Sequence, residues 1–313
     1  MTNSSNSPLA ALLLTNRLAP VDAKPFSAGQ FWKLVDAVPD LGHLLSSDTD
    51  EIQVIANVES DEAVRIRTLL DAARSFAFER ERLEEGGLTV VSAIDDQFPA
   101  ILIERLGTNC PPFLIVAGPI ERLSDGGLSI AGSRNASEEA LDTTRAAAVA
   151  AVDQKWQVIT GLAKGVDQVA IDAAGAAGGQ TIGIPAEGIN VVSRRSAIRQ
   201  LVHDGQLCIA SPYAPGARFS TGTAMGRNKI IYALSTIAFV ASADRGSGGT
   251  WTGAVETLKR GWCPITTWMG PGARDGNAGL VEKGAYPITE IDDVFDPALL
   301  NKPSEPPPQT TLF

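Results

Sequence analysis

Four loops of the sequence combine glycine with hydroxyl, amide or basic side chains, and these are the groups that bind phosphate. Backbone N–H groups at a glycine turn donate to phosphate oxygens, and an Arg or Lys side chain adds a charged donor. The four loops are residues 132–134, 161–167, 226–229 and 246–252. Their candidate residues are Gly132, Ser133, Arg134, Lys164, Arg227, Asn228, Lys229, Gly248, Gly249, Thr250 and Thr252. None of the loops contains the Gly-Lys-Ser or Gly-Lys-Thr triplet of a P-loop. The sequence therefore predicts a phosphate-binding crevice to which several separate loops contribute.

The pattern between these loops predicts the scaffold that brings them together. Short apolar or β-branched runs lie at residues 88–91, 113–116, 128–131, 158–160, 181–184, 207–210, 236–240 and 264–267. Most of the later runs are separated by Ala-rich helical stretches, such as residues 138–153 and 168–177. Buried strands that alternate with helices are typical of a doubly wound, mostly parallel α/β sheet of the extended Rossmann type. Ligands bind beyond the carboxyl ends of such strands, where we expect all four loops.

Three regions are predicted along the chain. A small helical domain of the SAM-like type occupies residues 1–87, and the Rossmann-like domain follows over residues 88–296. The proline-rich residues 297–313 form an extended tail.

Two details of the helical region and one of the sheet domain can be predicted. Ser27 and Gln30 have the spacing of a capping box at the start of a helix. A long helix is expected over residues 61–85, with Val64 on its buried face. In the sheet domain, Arg227 and its neighbours are expected at the start of a helix, because they follow a glycine and precede a strand.

The charge and the cysteines limit the possible functions. The net charge is −10 over 313 residues, so a site for nucleic acid must be a local basic patch. Cys110, Cys208 and Cys263 form no CxxC pair and only His43 and His203 are present, so we expect no zinc site, no disulfide framework and no cofactor. No apolar stretch is long enough to span a membrane, and reduced cysteines favour a cytoplasmic protein.

The order of the motifs along the chain carries a family resemblance. The motifs are Phe98-Pro99, Pro111-Pro112, Gly118-Pro119, the four loops above, Gly276-Asn277 and Gly284-Ala285. In this order they resemble the DprA/Smf family of DNA-processing proteins. The sequence departs from the family pattern at Ile171, where a His is usual, and at Ser211-Pro212, where a Ser-Glu pair is usual. It therefore resembles a divergent member.

The resemblance implies a protein that binds single-stranded DNA in a basic pocket and catalyses no reaction. It implies that phosphates contact Ser133, Arg134, Arg227, Asn228 and Lys229, with Lys164 a weaker candidate. Thr250 and Thr252 would contact the DNA backbone or bases. The implied partners are RecA recombinase and a second copy of the chain. The implied processes are recombination, natural transformation, and mobile-element or phage defence.

A second interpretation concerns the loop that leads to Glu256. Residues 248–256 are similar to the PGGxGTxxE loop of the LOG-type nucleotide phosphoribohydrolases, but Trp251 replaces a glycine and Glu256 comes one residue late. One residue corresponds to a turn of about 100° around a helix, so we expect Glu256 to face solvent. The alternatives are a hydrolase that uses Glu256 and a nucleotide sensor without chemistry. Trp251 is a candidate for stacking on a base.

The last five residues, QTTLF, resemble the peptide by which bacterial DNA-processing proteins dock on the replicative sliding clamp. Leu312 and Phe313 would fill an apolar pocket on the clamp, while Gln309 would anchor the extended segment by hydrogen bonds. The alternative is that Leu312 and Phe313 pack back on their own domain.

Overall fold

The computed structural model describes residues 6–300, and its chain divides into two units. The first unit comprises the residues up to Ile120 together with Gly188–Val191 and Ala210–Ala217, and the second comprises Glu121–Glu187, Val192–Ile209 and the residues from Arg218 onward. The division groups residues 88–120 with the helical region, whereas the sequence predicted a boundary at residue 88. The predicted clamp-binding residues Gln309, Leu312 and Phe313 lie outside the described residues.

The first unit is mainly helical and also contains a pair of strands. Its elements up to residue 120 are α1 (Ser7–Leu14), α2 (Ala28–Ala37), α3 (Thr49–Ala56), α4 (Ser60–Asp71), α5 (Ala73–Glu85), β1 (Leu88–Ser92), α6 (Ala100–Leu106) and β2 (Phe113–Ala117). Strands β1 and β2 pair antiparallel, with Val90 opposite Ile115. Apolar helix faces supply its core, in which Leu13, Phe31 and Phe76 are buried.

The predicted capping box is confirmed, but the predicted long helix is wrong. The Ser27 side chain accepts from the Gln30 backbone N–H, and the Gln30 side chain accepts from that of Ser27. The segment predicted as one helix consists of α4 and α5, with the break at Ala72. Val64 is 51% exposed while Ile66 is fully buried, since α4 packs through the face that carries Ile66.

The second unit is built on a parallel sheet. The elements after residue 120 are β3 (Leu128–Gly132), α7 (Glu138–Asp153), β4 (Val158–Thr160), α8 (Val166–Ala176), β5 (Thr181–Gly183), α9 (Ile189–Val192), α10 (Ser196–His203), β6 (Leu207–Ser211), α11 (Thr221–Leu234), β7 (Ile237–Ser242), α12 (Gly248–Arg260), β8 (Ile265–Trp268), α13 (Asp275–Val281), β9 (Tyr286–Ile288) and α14 (Pro297–Leu300). The strand order is β6-β5-β4-β3-β7-β8-β9, and neighbouring strands run parallel.

This order places a topological switch between β3 and β7. From β3 the chain adds β4, β5 and β6 on one side, and it then returns to add β7, β8 and β9 on the other. The loop that follows β3 and the loop that follows β7 therefore run in opposite directions, and a crevice opens between them at the carboxyl ends of the two strands. The predicted doubly wound α/β fold is confirmed. Within residues 6–300, no helix combines the length and the apolar character needed to cross a membrane.

One predicted helix start is wrong. Arg227 lies in the second turn of α11, because the helix already begins at Thr221. A capping box between Ser220 and Thr223 fixes that earlier start: each side chain accepts from the backbone N–H of the other residue. Arg227, Asn228 and Lys229 therefore lie within the body of α11 and not at its N-terminus.

The buried amide of Asn277 ties the carboxyl ends of β7 and β8 to helix α13. Its Nδ2 donates to the carbonyl oxygen of Trp268 at 2.8 Å and to that of Ala241 at 3.2 Å. Its Oδ1 accepts from the N–H groups of Ala243, at 2.9 Å, and Arg274, at 3.3 Å. One fully buried side chain therefore satisfies backbone groups that the sheet leaves without partners.

Replacing Asn277 by Ala should lower the free energy of unfolding by about 3 kcal/mol, since buried backbone donors and acceptors lose their partners. Chemical denaturation of the wild type and the variant measures the change. The exposed Asn109 offers a matched control, whose replacement by Ala should change stability by less than about 0.5 kcal/mol. Equal losses for both variants would contradict the role of Asn277.

Candidate functional site

A cavity of about 450 Å³ opens at the carboxyl ends of β3 and β7. The loops after β3, β4 and β7 line it, together with one side of α11 and the first turns of α12. Nine of the residues predicted from the sequence line it: Gly132, Ser133, Arg134, Arg227, Asn228, Gly248, Gly249, Thr250 and Thr252. These nine residues come from three separate stretches of the chain, which meet in one cavity.

Two predicted residues, Lys164 and Lys229, do not line this cavity. Lys164 is exposed in the loop between β4 and α8. Lys229 lies two residues beyond Arg227, which is about 200° around the helix, and its Nζ is 3.2 Å from Oε1 of Glu256. The side of α11 that carries Lys229 is therefore not the side that carries Arg227.

The floor of the cavity is organised by Arg227. Its side chain is 92% buried, with Nη2 3.8 Å from Oδ2 of Asp167. A Cβ atom on Gly161 would lie only 1.5 to 2.0 Å from three guanidinium atoms, so the guanidinium occupies space that only glycine leaves open. Oδ2 of Asp167 also accepts from the N–H groups of Gly161, at 3.0 Å, and Ala163, at 3.3 Å. Arg227 and Asp167 together hold the loop after β4 in place.

Burial dominates the titration of this pair. Desolvation raises the pKa of Asp167, while Arg227 and the two backbone N–H donors act in the opposite direction. Desolvation likewise lowers the pKa of Arg227, against the attraction of Asp167. A carboxylate and a guanidinium in contact offset much of each other's charge, so this pair gives the cavity little net charge.

Arg134 supplies the exposed positive charge. It follows directly after the loop turn at Gly132 and Ser133, and it forms no salt bridge within residues 6–300. Its guanidinium carbon lies 5.2 Å from the ring centroid of Phe219, which is 47% exposed. Phe219 also lines the cavity, and the sequence patterns did not single it out. An exposed cation and an aromatic face therefore stand side by side.

A network that includes Arg274 supports the loop after β3. Nη1 of Arg274 donates to Oγ of Ser133 at 3.3 Å and to Asp244 at 2.8 Å, and Nη2 donates to the carbonyl of Asn135. Sequence reasoning missed Arg274 and Asp244, which come from separate loops 30 residues apart. Asp244 lines the cavity, but its negative charge is offset by Arg274.

Two of the predicted polar residues, Thr250 and Asn228, join separate segments around the cavity, and a third, Thr252, bonds within its own helix. Oγ1 of Thr250 donates to the carbonyl of Gly132 at 3.0 Å, which joins α12 to the end of β3. Nδ2 of Asn228 donates to the carbonyl of Gly249 at 3.1 Å, which joins α11 to α12. Oγ1 of Thr252 donates within its own helix, to Gly248 at 3.0 Å. These side chains shape the cavity.

Two buried polar atoms of the lining residues have no hydrogen-bond partner: Nε of Arg227 and Oγ of Ser242. Buried polar groups in folded proteins nearly always have partners. Both atoms are closed off from the open space of the cavity, so they belong to its wall and are not groups exposed to a ligand.

The residues of the enzyme interpretation lie elsewhere. Glu256 is half-buried and paired with Lys229, so the expectation that it faces solvent is wrong, and it does not line the cavity. Trp251 does not line it either: its ring packs over Gly279, with Nζ of Lys283 6.0 Å from its centroid. Within the described part of the chain, no group of three or more His, Cys, Asp or Glu side chains is arranged to hold a metal ion.

The chain is similar in sequence to known DNA-processing proteins. It is 29% identical over 207 residues to DNA processing protein DprA of Streptococcus pneumoniae, covering 65% of this chain and 72% of that protein. It is 26% identical over 219 residues to DNA processing protein DprA of Bacillus subtilis, covering 68% and 72%.

Two solved structures share the fold. The X-ray structure of DprA from Streptococcus pneumoniae matches with a TM-score of 0.68 at 22% identity, over 86% of this chain and 97% of that one. A structure that describes the single-stranded DNA binding mode of DprA from Helicobacter pylori matches with a TM-score of 0.54 at 22% identity, over 66% and 93%.

The profile of the family described as DNA recombination-mediator protein A matches residues 89–298, which is most of the chain. The resemblance to DprA/Smf proteins predicted from the motif order is confirmed, and the chain belongs to the DNA recombination-mediator protein A family.

Proposed function

We propose that this chain is a non-catalytic protein of DNA processing that binds single-stranded DNA in the cavity at the carboxyl ends of β3 and β7. The observation that carries the proposal is the pairing of Arg134 with Phe219 at this cavity. Single-stranded DNA offers phosphates to a cation and unpaired bases to an aromatic face, and a duplex keeps its bases stacked inside. A relative from Helicobacter pylori is described as binding single-stranded DNA.

The charges around the cavity suit a local DNA site on an acidic chain. The two lining aspartates, Asp167 and Asp244, are each paired with an arginine. Arg134 thus remains available to phosphate, and the N–H groups at the start of α12 add neutral donors.

The absence of catalysis is part of the proposal. A glycosidic hydrolase needs a carboxylate beside the reacting carbon. Glu256 is engaged by Lys229 and does not line the cavity, while Asp167 already accepts two backbone hydrogen bonds. The same geometry favours a binding site over a hydrolase. The alternative is that the cavity binds a single nucleotide, as a sensor without catalysis, in place of DNA.

The more specific expectations drawn from the sequence remain predictions. They are binding of Lys164, Lys229 and Thr252 to DNA, cooperation with RecA recombinase, dimer formation, docking on the sliding clamp, and a place in transformation or phage defence.

Replacing Arg134 by Ala should weaken binding of a dT oligonucleotide by about 10-fold, the loss expected for one charge-assisted hydrogen bond. The slope of log affinity against log salt should become flatter by about one. Fluorescence anisotropy titrations at several salt concentrations measure both quantities. Arg145, an exposed arginine of α7, is the matched control, and its replacement by Ala should change neither. Unchanged binding in Arg134→Ala would refute the proposed site.

Replacing Phe219 by Ala should also weaken binding of the dT oligonucleotide by about 10-fold, because one stacked base contributes about 1–3 kcal/mol. In contrast to Arg134→Ala, the salt dependence should stay the same, since no charge is lost. The control is Phe78→Ala, which removes a ring that is 66% exposed on α5. A loss of equal size in both phenylalanine variants would contradict stacking on Phe219.

A further inference from the structure

Asp167 supplies a buried carboxyl group to the floor of the cavity at the carboxyl ends of β3 and β7. The residue is 8% exposed and lines that cavity. Its Oδ2 accepts from the N–H groups of Gly161 and Ala163. The same oxygen lies 3.8 Å from Nη2 of Arg227, a distance longer than a hydrogen bond. The guanidinium therefore acts on the carboxylate through its charge.

Charged and titratable groups face this carboxyl group from several segments of the chain. Burial raises the pKa of Asp167, whereas Arg227 in α11, the N–H groups of the loop after β4, and Arg134 in the loop after β3 act in the opposite direction. Tyr232, also in α11, is buried, and burial raises the pKa of its phenol, so this side chain stays neutral. Burial lowers the pKa of Arg227, and Glu187, which follows β5, acts against that lowering. Two cations, Arg227 and Arg134, thus favour the ionised form of Asp167.

Arg134 has two roles in this arrangement. It is the exposed cation proposed to bind a DNA phosphate, and its charge acts to lower the pKa of Asp167. A phosphate bound to Arg134 would offset that charge and bring a negative charge close to the buried carboxylate. Charges interact strongly with a buried group, because little water separates and screens them. The bound phosphate would therefore raise the pKa of Asp167 further.

We propose that Asp167 takes up a proton from solvent when a DNA phosphate binds at Arg134. A proton on Oδ1 leaves Oδ2 free to accept from the loop after β4, so that loop keeps its hydrogen bonds. The floor of the cavity changes from a neutral pair to a cation, because the charge of Arg227 is no longer balanced. This inference rests on the proposed function and adds regulation by pH, since the affinity for single-stranded DNA rises as the pH falls.

The pH range of the effect follows from the linkage of binding to protonation. Well above the pKa of Asp167 in the complex, neither the free nor the bound protein carries the proton, and well below its pKa in the free protein both carry it. Uptake occurs between these limits, where one proton makes binding up to about 10-fold tighter for each pH unit. Exposed carboxyl groups titrate near pH 4, whereas the raised pKa of Asp167 moves its uptake to higher pH.

The first test is calorimetric titration of the full chain with a dT oligonucleotide in two buffers of different ionisation enthalpy, which counts the protons taken up. Uptake should reach about half a proton or more at about pH 5.5 and be near zero at about pH 8, and Kd should be about 10-fold lower at the acidic pH. Binding without uptake at either pH would overturn this inference and leave the DNA site intact. No binding of dT at either pH would overturn the proposed function, and this inference with it.

Two controls separate Asp167 from other sources of proton uptake. A dT oligonucleotide with a neutral methylphosphonate backbone should cause no uptake, and uptake equal to that of normal dT would contradict a role for the phosphate charge. Histidine ordinarily changes charge in this pH range, and the chain contains only His43 and His203. The double variant His43→Gln/His203→Gln should keep the wild-type uptake, and its loss would assign the proton to a histidine and overturn the proposal.

The second test replaces Asp167 by Asn, which is neutral and has the same shape. The variant should bind dT with the same affinity at both pH values and without proton uptake. The matched control is Asp172→Asn on the exposed side of α8, which should keep the wild-type pH dependence. A folded Asp167→Asn variant with wild-type uptake would overturn the proposal. Because Asn leaves Arg227 without its carboxylate, circular dichroism checks the fold, and the wild-type titrations decide if the variant is unfolded.

Discussion

The guanidinium of Arg227 fills the space above Gly161 that a Cβ atom would occupy, and it is paired there with Asp167. This one contact joins the middle of α11, the loop after β4 and the start of α8, and the other loops of the cavity are arranged around it. A buried arginine is stable only when a carboxylate accompanies it, and Asp167 in turn depends on the backbone N–H groups of Gly161 and Ala163. The floor of the cavity is consequently built of mutually paired groups and is nearly neutral.

That arrangement reconciles an acidic chain with a site for phosphate. The charge that neutralises Asp167 is buried, and the charge that neutralises Asp244 comes from Arg274 at the rim. Arg134 is then an exposed cation beside Phe219, and the proposed binding of DNA depends on this local charge. A net charge of −10 thus disfavours diffuse attraction to nucleic acid without weakening this contact.

Much of the fold and part of the site could be predicted from the sequence. Strand runs separated by Ala-rich helices predicted the parallel sheet, and the position of the glycine loops after strands predicted that they would meet at its carboxyl edge. The faces of α11 could not be predicted, because the start of that helix depends on a Ser220–Thr223 capping box of unusual composition, and so Lys229 was grouped with Arg227. The partners of Arg274 and Glu256 also escaped prediction, since they come from distant segments that only the folded sheet brings together. The break at Ala72 has no glycine or proline to signal it.

The central claim is that single-stranded DNA occupies the cavity at the carboxyl ends of β3 and β7. Hydrogen–deuterium exchange of the full chain, with and without a saturating dT oligonucleotide, tests it most directly. The account predicts slower exchange in residues 131–135, 219–228 and 246–252, with no change in α4 and α5. Protection confined to other segments, or no protection at saturation, would contradict it.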